Sequence, residues 1–324
     1  MTSSIYQHVR RTIRRHGLCP RGTRVLIGLS GGSDSVALTF LLRDLEASLG
    51  FEVAGLAHVN HQLRDTAARD EAFCRGLADR LALPILVAGR DVKALAGERG
   101  CSIEDAARCA RYAFLDEAAA ACNATRIAVG HTTDDQAETF ILKLARGAGM
   151  TGLGAIYPRR GDVIRPLLDV GREDLREYLR SIGEAWVEDE TNEDLGNPRN
   201  RVRHDVLPHL ERSLGLPARR AIARAAGLAG EDARWLDELA AERLGVLAAD
   251  TPDGLELDAA ALRCEPPPIA RRILLGALRR QAAGKEIGLE HVLAALDVLT
   301  GLAAGAELPG ARVELRGEKL VLLR

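Results

Sequence analysis

No apolar run in this chain approaches the roughly 20 residues that a membrane-spanning helix requires, so a helical membrane protein is excluded. The arginine-rich start, Met1 to Arg15, is not followed by an apolar stretch and cleavage site; no export signal is read and a cytoplasmic location is expected. The six cysteines, at 19, 74, 101, 109, 122 and 264, include no C-x-x-C pair. That removes zinc knuckles and redox dithiols and leaves free, structural thiols in a reducing compartment as the expectation. Aromatic residues make up only 3% of the chain, so Trp186 and Trp235 stand alone and are read as packing residues. An excess of one charge is also missing: the formal net charge is −2, which gives no general attraction for nucleic acid.

What the chain does have is length for two domains, with 324 residues of which 47% are hydrophobic, and charge that is set out unevenly. Residues 1–33 carry six arginines (10, 11, 14, 15, 21 and 24) and no acid. Arg199 to Arg224 holds seven arginines against Asp205 and Glu211, and an acidic run from Glu184 to Asp194 lies between the two basic segments. Such runs are most often solvated faces. Two of them in a nearly neutral chain make a polyanionic partner an equal reading.

Apolar segments alternate with helical patterns: Val25–Leu29 then Ser35 to Leu49, Val53–Val59 then Thr66 to Leu81, Ile85–Val87, a helix from Ser102, Ile127–Val129 then a helix from Thr133, and Val163–Leu168 then Arg172 to Ile182. This rhythm predicts an α/β fold with a doubly wound, mainly parallel sheet and a ligand crevice at the carboxyl ends of its strands. Ser102 with Asp105, and Thr133 with Gln136, are read as N-cap and N3 pairs. Beyond about Leu214 strand signals thin out and helical stretches follow, closed by a hairpin in the tail "ARVELRGEKLVLLR". The expected domains are therefore 1–215 and a smaller, mostly helical 216–324.

The stretch Ser30-Gly31-Gly32-Ser33-Asp34-Ser35 follows the first strand and opens a helix. Backbone N–H groups at such a turn, with the helix dipole behind them, make a nest for phosphate. Asp34 belongs beside an anion only if a hard cation such as Mg²⁺ bridges the two. The chain lacks G-x-x-x-x-G-K-[ST] and G-x-G-x-x-G. Gly28-Leu29-Ser30-Gly31-Gly32 does match the hydrolase elbow G-x-S-x-G, but an elbow needs earlier strands and an oxyanion loop, and here the strand is the first.

Two further polar clusters fall on the same sheet edge: His58-Val59-Asn60-His61-Gln62-Leu63-Arg64, and His131 through Thr139. Asp135 and Glu138 are i,i+3 neighbours on one helix face, and Asp134 and Glu138 are i,i+4 neighbours. Close carboxylates repel, so a metal, an amine substrate or a nearby arginine is implied. His58 and His61 lack a third ligand, and a core or hydrogen-bonding role is expected for them.

Together the motifs "SGGSDS", "HVNHQLR", "EDAARCARY", "GHTTDDQAETFILKLARGAGMTGL", "RPLL" and "EDETNEDLGNPRNRVRHDVLPHL" resemble those of the tRNA(Ile)-lysidine synthetases, members of the PP-loop (N-type) ATP pyrophosphatase superfamily. The resemblance implies a Rossmann-like PP-loop ATPase domain and a tRNA-binding C-terminal domain. It implies ATP and Mg²⁺ as cofactors, with pyrophosphate held by Ser30, Gly31, Gly32, Ser33, Asp34 and Ser35. It also implies ligation of free L-lysine to C2 of the wobble cytidine of a tRNA(Ile) bearing the CAU anticodon, through an adenylated base, with release of AMP and pyrophosphate. On that pattern Asp34 would bind Mg²⁺, Arg111 would stabilise the transferring α-phosphate, and His131 would line the nucleotide site. Asp135 and Glu138 would hold the amines of lysine, one of them acting as base. Arg199, Arg201 and Arg203 would meet tRNA phosphate or ATP. A homodimer is allowed for. The rivals are a PP-loop tRNA thiolase, which would need cysteines for sulfur or a cluster, and a non-catalytic RNA-binding module, which would not explain the polar sheet edge.

Overall fold

The computed structural model describes residues 2–60, 67–188 and 196–323. His61, Arg64 and positions 189–194, which belong to the motifs above, lie outside them. The chain divides into two compact units, Met1–Leu228 and Ala229–Arg324.

The first unit begins with a helix that the alternating pattern did not suggest, α1 (Thr2–Arg15). Its apolar residues Ile5, Val9 and Ile13 recur every fourth position and are buried, while Arg11, Arg14 and Arg15 stay exposed. Each buried aliphatic side chain contributes about 1.5–3 kcal/mol, which holds the arginine-rich segment down as an amphipathic helix.

There follow β1 (Arg24–Gly28), α2 (Ser33–Leu49), β2 (Glu52–Asn60), α3 (Ala67–Arg80), β3 (Ile85–Gly89), α4 (Val92–Arg99), α5 (Ile103–Ala121), β4 (Arg126–Ala128), α6 (Thr133–Ala145), α7 (Met150–Leu153), β5 (Arg159–Arg160), β6 (Val163–Ile164) and α8 (Arg172–Ser181). The strands form one sheet in the order β3-β2-β1-β4-β6-β5, parallel except for the antiparallel edge pair β5 and β6. Val25, Leu26 and Ile27 of β1 are wholly buried, as a central strand covered on both faces must be. The chain runs outward from β1 through β2 to β3, then returns to place β4 on the other side of β1. The carboxyl ends of β1 and β4 therefore flank the switch point where open α/β sheets bind ligands. Gly130, just beyond β4, lies so close to α2 that an added Cβ would stand 3.0 Å from the Asp34 carbonyl carbon.

The run Val163–Leu168 forms only the short β6 rather than a full strand. The unit ends with α9 (Pro198–Arg201), a π-helical turn Val202–Val206, α10 (Leu207–Leu214) and the start of α11 (Ala218–Leu247). Ile222 of α11 packs with Ala137, Val202 and Leu207. That contact keeps the beginning of α11 with the first unit, beyond the boundary expected near residue 215.

The second unit is more than helical. The strands β7 (Ala248–Thr251), β8 (Gly254–Asp258), β9 (Gly305–Leu308), β10 (Ala311–Arg316) and β11 (Lys319–Leu323) make an antiparallel sheet in the order β7-β8-β11-β10-β9. Helices α12 (Ala259–Cys264), α13 (Pro267–Gln281) and α14 (Leu289–Thr300) share its core, built on Leu255, Leu257, Ile273, Leu274, Val313 and Leu322. The terminal hairpin is present as β10 and β11, with Arg316 paired to Lys319. The short strands β7 to β9 escaped the periodicity because each offers only four or five residues.

Candidate active site

The turn after β1 is shaped by hydroxyls and glycine. Gly31 has φ +90°, a conformation that L side chains rarely adopt, and an added Cβ there would stand 3.4 Å from Cys74 Sγ and 3.5 Å from Val187 Cγ2. The Ser30 N–H donates to Ser35 Oγ at 3.1 Å, and the Ser35 hydroxyl donates to the Gly32 carbonyl at 3.0 Å. The loop is thus folded around its own serines. Gly32, the N-cap of α2, makes no side-chain capping bond, so the first N–H groups of that helix are left for an acceptor from outside. Beneath the loop, buried His58 donates its Nδ1–H to the Leu29 carbonyl at 2.9 Å, the hydrogen-bonding role expected of it.

Across the switch point, α6 starts one residue earlier than its sequence pattern suggested. Thr132, not Thr133, is the N-cap, and the reciprocal partner is Asp135, whose Oδ2 accepts from the Thr132 N–H at 2.8 Å. The Thr133 hydroxyl instead donates to the Leu168 carbonyl at 2.9 Å, which ties α6 to the segment after β6. With Oδ2 used in the cap, Asp135 presents Oδ1 to two guanidinium groups, Arg172 Nη2 at 3.2 Å and Arg199 Nη2 at 2.9 Å.

Arg172 is the residue that the motifs did not single out, and it links the two halves of the crevice. Its Nε donates to Asp34 Oδ2 at 3.1 Å, its Nη1 lies 3.7 Å from Glu138 Oε1, and its backbone N–H donates to Asp134 Oδ2 at 2.8 Å. A signal was available: a cation in the first turn of a helix opposes the helix dipole, so an arginine opening α8 needs acids nearby. Asp34 Oδ1 also accepts from the Ser33 hydroxyl at 3.1 Å.

Glu138 is almost wholly enclosed, with its side chain 1% exposed. Arg203 Nε donates to Oε1 at 2.6 Å and Arg199 Nε to Oε2 at 2.7 Å. Arg199 is aimed by a local cap: Asn197 Oδ1 accepts its backbone N–H at 2.8 Å, and Pro198 begins α9. Arg199 and Arg203 stand four residues apart and share a face, whereas Arg201 falls on another and donates Nη1 to the Gly196 carbonyl at 3.1 Å. The three arginines grouped in the sequence therefore part company.

Charges in this cluster reinforce one another. Burial would raise the Asp135 pKa, but Arg172 and Arg199 outweigh it and hold the carboxyl well below its usual range. Asp34 moves up, because burial outweighs its arginine partner and Asp135 adds repulsion. Arg172 and Arg199 are pushed above the ordinary arginine value, the surrounding carboxylates overcoming burial. Among the three readings left open for these acids, the nearby arginine is the one the described residues contain.

Two of the expected residues remain, His131 and Arg111. His131 follows β4, and its Nδ1 is buried without a hydrogen-bond partner. Burial, aided by Arg165, Arg111 and Arg199 and opposed by Asp135, lowers its pKa to about 3, so the ring is neutral at pH 7. Arg111 is exposed on α5 with its guanidinium 5.5 Å from the Tyr112 ring, outside the ion-pair network.

Residues 2–210 match the family model described as a PP-loop domain. Over 98% of its length the chain is 39% identical to a tRNA(Ile)-lysidine synthase of Geobacter sulfurreducens, covering 67% of that protein. It is 38% identical to the tRNA(Ile)-lysidine synthase of Leifsonia xyli, covering 93% of this chain and 89% of the other. The chain belongs to the tRNA(Ile)-lysidine synthase family. It spans about two thirds of the length of several curated family members, between 63% and 67% for three of them. A solved structure of the U34-tRNA thiolase NcsA from Methanococcus maripaludis with its [4Fe-4S] cluster superposes with a TM-score of 0.57 at 17% identity, covering 71% of this chain and 78% of that one. That likeness shows a shared fold. The matched PP-loop region of this family member holds Asp34, Asp134, Asp135, Glu138, Arg172, Arg199 and Arg203, and ATP use follows from its family.

Proposed function

We propose that this chain ligates lysine to C2 of the wobble cytidine in the CAU anticodon of a tRNA(Ile), with ATP split to AMP and pyrophosphate. The observation that carries the reading is the continuous link from the PP-loop carboxylate Asp34 through Arg172 to Asp135 and Glu138. On this reading the phosphate cradle and the acids that hold the amine would face one crevice.

The chemistry has two steps. The cytosine O2 attacks the α-phosphorus of ATP, forming an O–P bond while the bond to pyrophosphate breaks. The ε-amine of lysine then forms a C–N bond at C2, and AMP departs with the original oxygen. The Ser30–Ser35 loop would bind the pyrophosphate portion through its backbone N–H groups. Arg111, unpaired with any acid in the described residues, would meet the α-phosphate as charge develops. Neutral His131 would accept or donate one hydrogen bond to the nucleotide through its unpartnered Nδ1.

Mg²⁺ fits Asp34 in donor type but finds no protein cage: among the described residues no group of three His, Cys, Asp or Glu side chains could hold a metal. Mg²⁺ commonly binds through one carboxylate and the phosphates of its nucleotide, and Asp34 would supply that carboxylate. When bound, the ion would screen phosphate charge.

Asp135, kept ionised by Arg172 and Arg199, suits holding an ammonium group. Glu138 is left as the candidate base that removes a proton from the amine before attack. Its partners Arg199 and Arg203 would exchange onto phosphate when substrates enter, and Arg201 would contact tRNA from its separate face. The C-terminal unit would hold the tRNA away from the anticodon. Incubation with labelled lysine, ATP, Mg²⁺ and tRNA(Ile) bearing CAU, followed by nucleoside analysis, tests the reading. Label should enter the nucleoside only when both ATP and that tRNA are present; its absence would overturn the assignment.

A further inference from the structure

The ion-pair network accounts for Arg172, Arg199, Arg203 and Arg219, each set against a carboxylate. A second group of cations in the same unit is not so treated. Arg108 and Arg111 of α5 lie 5.1 Å and 5.5 Å from the Tyr112 ring, one guanidinium on each contact. Tyr112 packs in the same apolar cluster as Val163 of β6, and Arg165 comes two residues after Val163. Arg165 is 5% exposed, donates Nη1 to the Tyr157 carbonyl at 2.8 Å, and keeps a buried Nε without a partner. Lys143 of α6 donates to the Ala155 carbonyl at 3.2 Å. Arg160 of β5 is exposed. Among the described residues none of Arg108, Lys143, Arg160 and Arg165 is paired with an acid.

These cations also feel one another. Burial first, and then the charges of Arg160 and Arg108, lower the pKa of Lys143. Burial likewise lowers Arg165; Tyr112 opposes that shift by its charge and a side-chain hydrogen bond, while Arg108 and Arg160 act in the same direction as burial. A fold that leaves a buried arginine donor unused among like charges has left room for an anion. The place is next to the site described above: the Val129 N–H donates to the Ile164 carbonyl at 3.0 Å, so Arg165 leaves the sheet edge beside the segment leading to His131.

We propose that Arg108, Lys143, Arg160 and Arg165 form a phosphodiester-binding surface that holds the RNA backbone beside the base undergoing modification. The cations come from α5, α6, β5 and the end of β6, a spread suited to successive phosphates of a strand; a single nucleotide already has the cradle at Ser30–Ser35. Such contacts position the RNA and carry no sequence information, so they serve placement of the base while selection of it lies elsewhere. The inference rests on the proposed function for the identity of the RNA.

The test uses the full chain with Arg108→Gln, Lys143→Gln and Arg160→Gln combined, all outside the buried position of Arg165, and reads RNA and ATP binding separately. The triple variant should bind tRNA(Ile) bearing CAU at least about tenfold more weakly at low salt. Its plot of log affinity against log salt should be shallower by about 2, as expected for losing three contacts to a single strand. ATP affinity, measured without RNA, should be unchanged. Unchanged RNA affinity and slope would overturn the proposal, as would a loss confined to ATP or a wild-type chain that binds no RNA. If RNA binding falls as expected but no lysine transfer is seen in the wild type, the surface stands and the proposed reaction fails. If transfer proceeds and the triple variant binds RNA normally, the reaction stands and the surface fails.

Discussion

Arg172 Nε donates to Asp34 Oδ2 at 3.1 Å, a contact between residues 138 positions apart in the chain. The same guanidinium reaches Asp135, and the same residue donates its backbone N–H to Asp134. One side chain therefore couples the loop after β1 to the helix after β4 and neutralises acids that would otherwise repel.

Replacing Arg172 by Ala should leave Asp34 and Asp135 facing one another without their shared cation. Breaking a buried pair from one side costs about 3–5 kcal/mol, and urea denaturation should show a loss near the lower end because the arginine side chain retains some exposure. Arg172→Lys keeps the charge but not the fork, so it should recover only part of the loss. A variant as stable as the parent would show that the acids are neutralised by another route.

Glu138→Gln keeps the shape of the side chain and removes its capacity to take a proton. Lysine transfer in a single turnover should slow by about 10²-fold or more, the usual contribution of a general base, while release of pyrophosphate persists. Equal slowing of both steps would place Glu138 in nucleotide binding instead.

Gly130→Ala sets a methyl group 3.0 Å from the Asp34 carbonyl carbon and 3.2 Å from the Ser35 nitrogen, both backbone atoms that cannot turn aside. Overpacking of this kind costs about 1–3 kcal/mol. Because the strain falls on the first turn of α2, ATP affinity should drop more than lysine affinity, as calorimetric titration of each ligand would reveal.

Stability against pH should carry the mark of His131. Its pKa is lowered from 6.5 to about 3, so the neutral ring favours the folded state fully above pH 6.5, and that contribution is lost as pH falls toward 3. Asp135, also lowered, contributes above the usual carboxylate value and is lost only at more acid pH. His131→Asn should therefore flatten the stability curve between about pH 6.5 and 3 by close to one proton, with little change below that window. Identical slopes for parent and variant across that window would sink the assignment of a neutral buried ring.

Much of the first unit was legible because its signals are local. The apolar run of β1, the glycines at the bend and the helical pattern from Ser35 sit within twenty-odd residues, and strand, turn and helix each have their own periodicity. Asp135 and Glu138 could be placed on one face from spacing alone. The start of α6 was misplaced by a residue because Thr132 and Thr133 are both competent caps, and only the Leu168 carbonyl, brought in by β6, engages the second. Helix α1 was missed since its three buried residues are separated by polar ones whose charge drew the reading toward a solvated or basic arm. In the second unit the terminal hairpin was read but β7, β8 and β9 were missed, because each is short and because β8 pairs with β11 far along the chain.

The order of residue types along the chain was enough to place a glycine- and serine-rich bend after the first strand and an acid cluster after the fourth, since turn conformation and helix phase depend on near neighbours. Which cations answer those acids could not be read there. Arg172, Arg199 and Arg203 reach Asp135 and Glu138 from helices 34 or more residues further on, and electrostatic pairing depends on distance in space, which only the folded sheet sets.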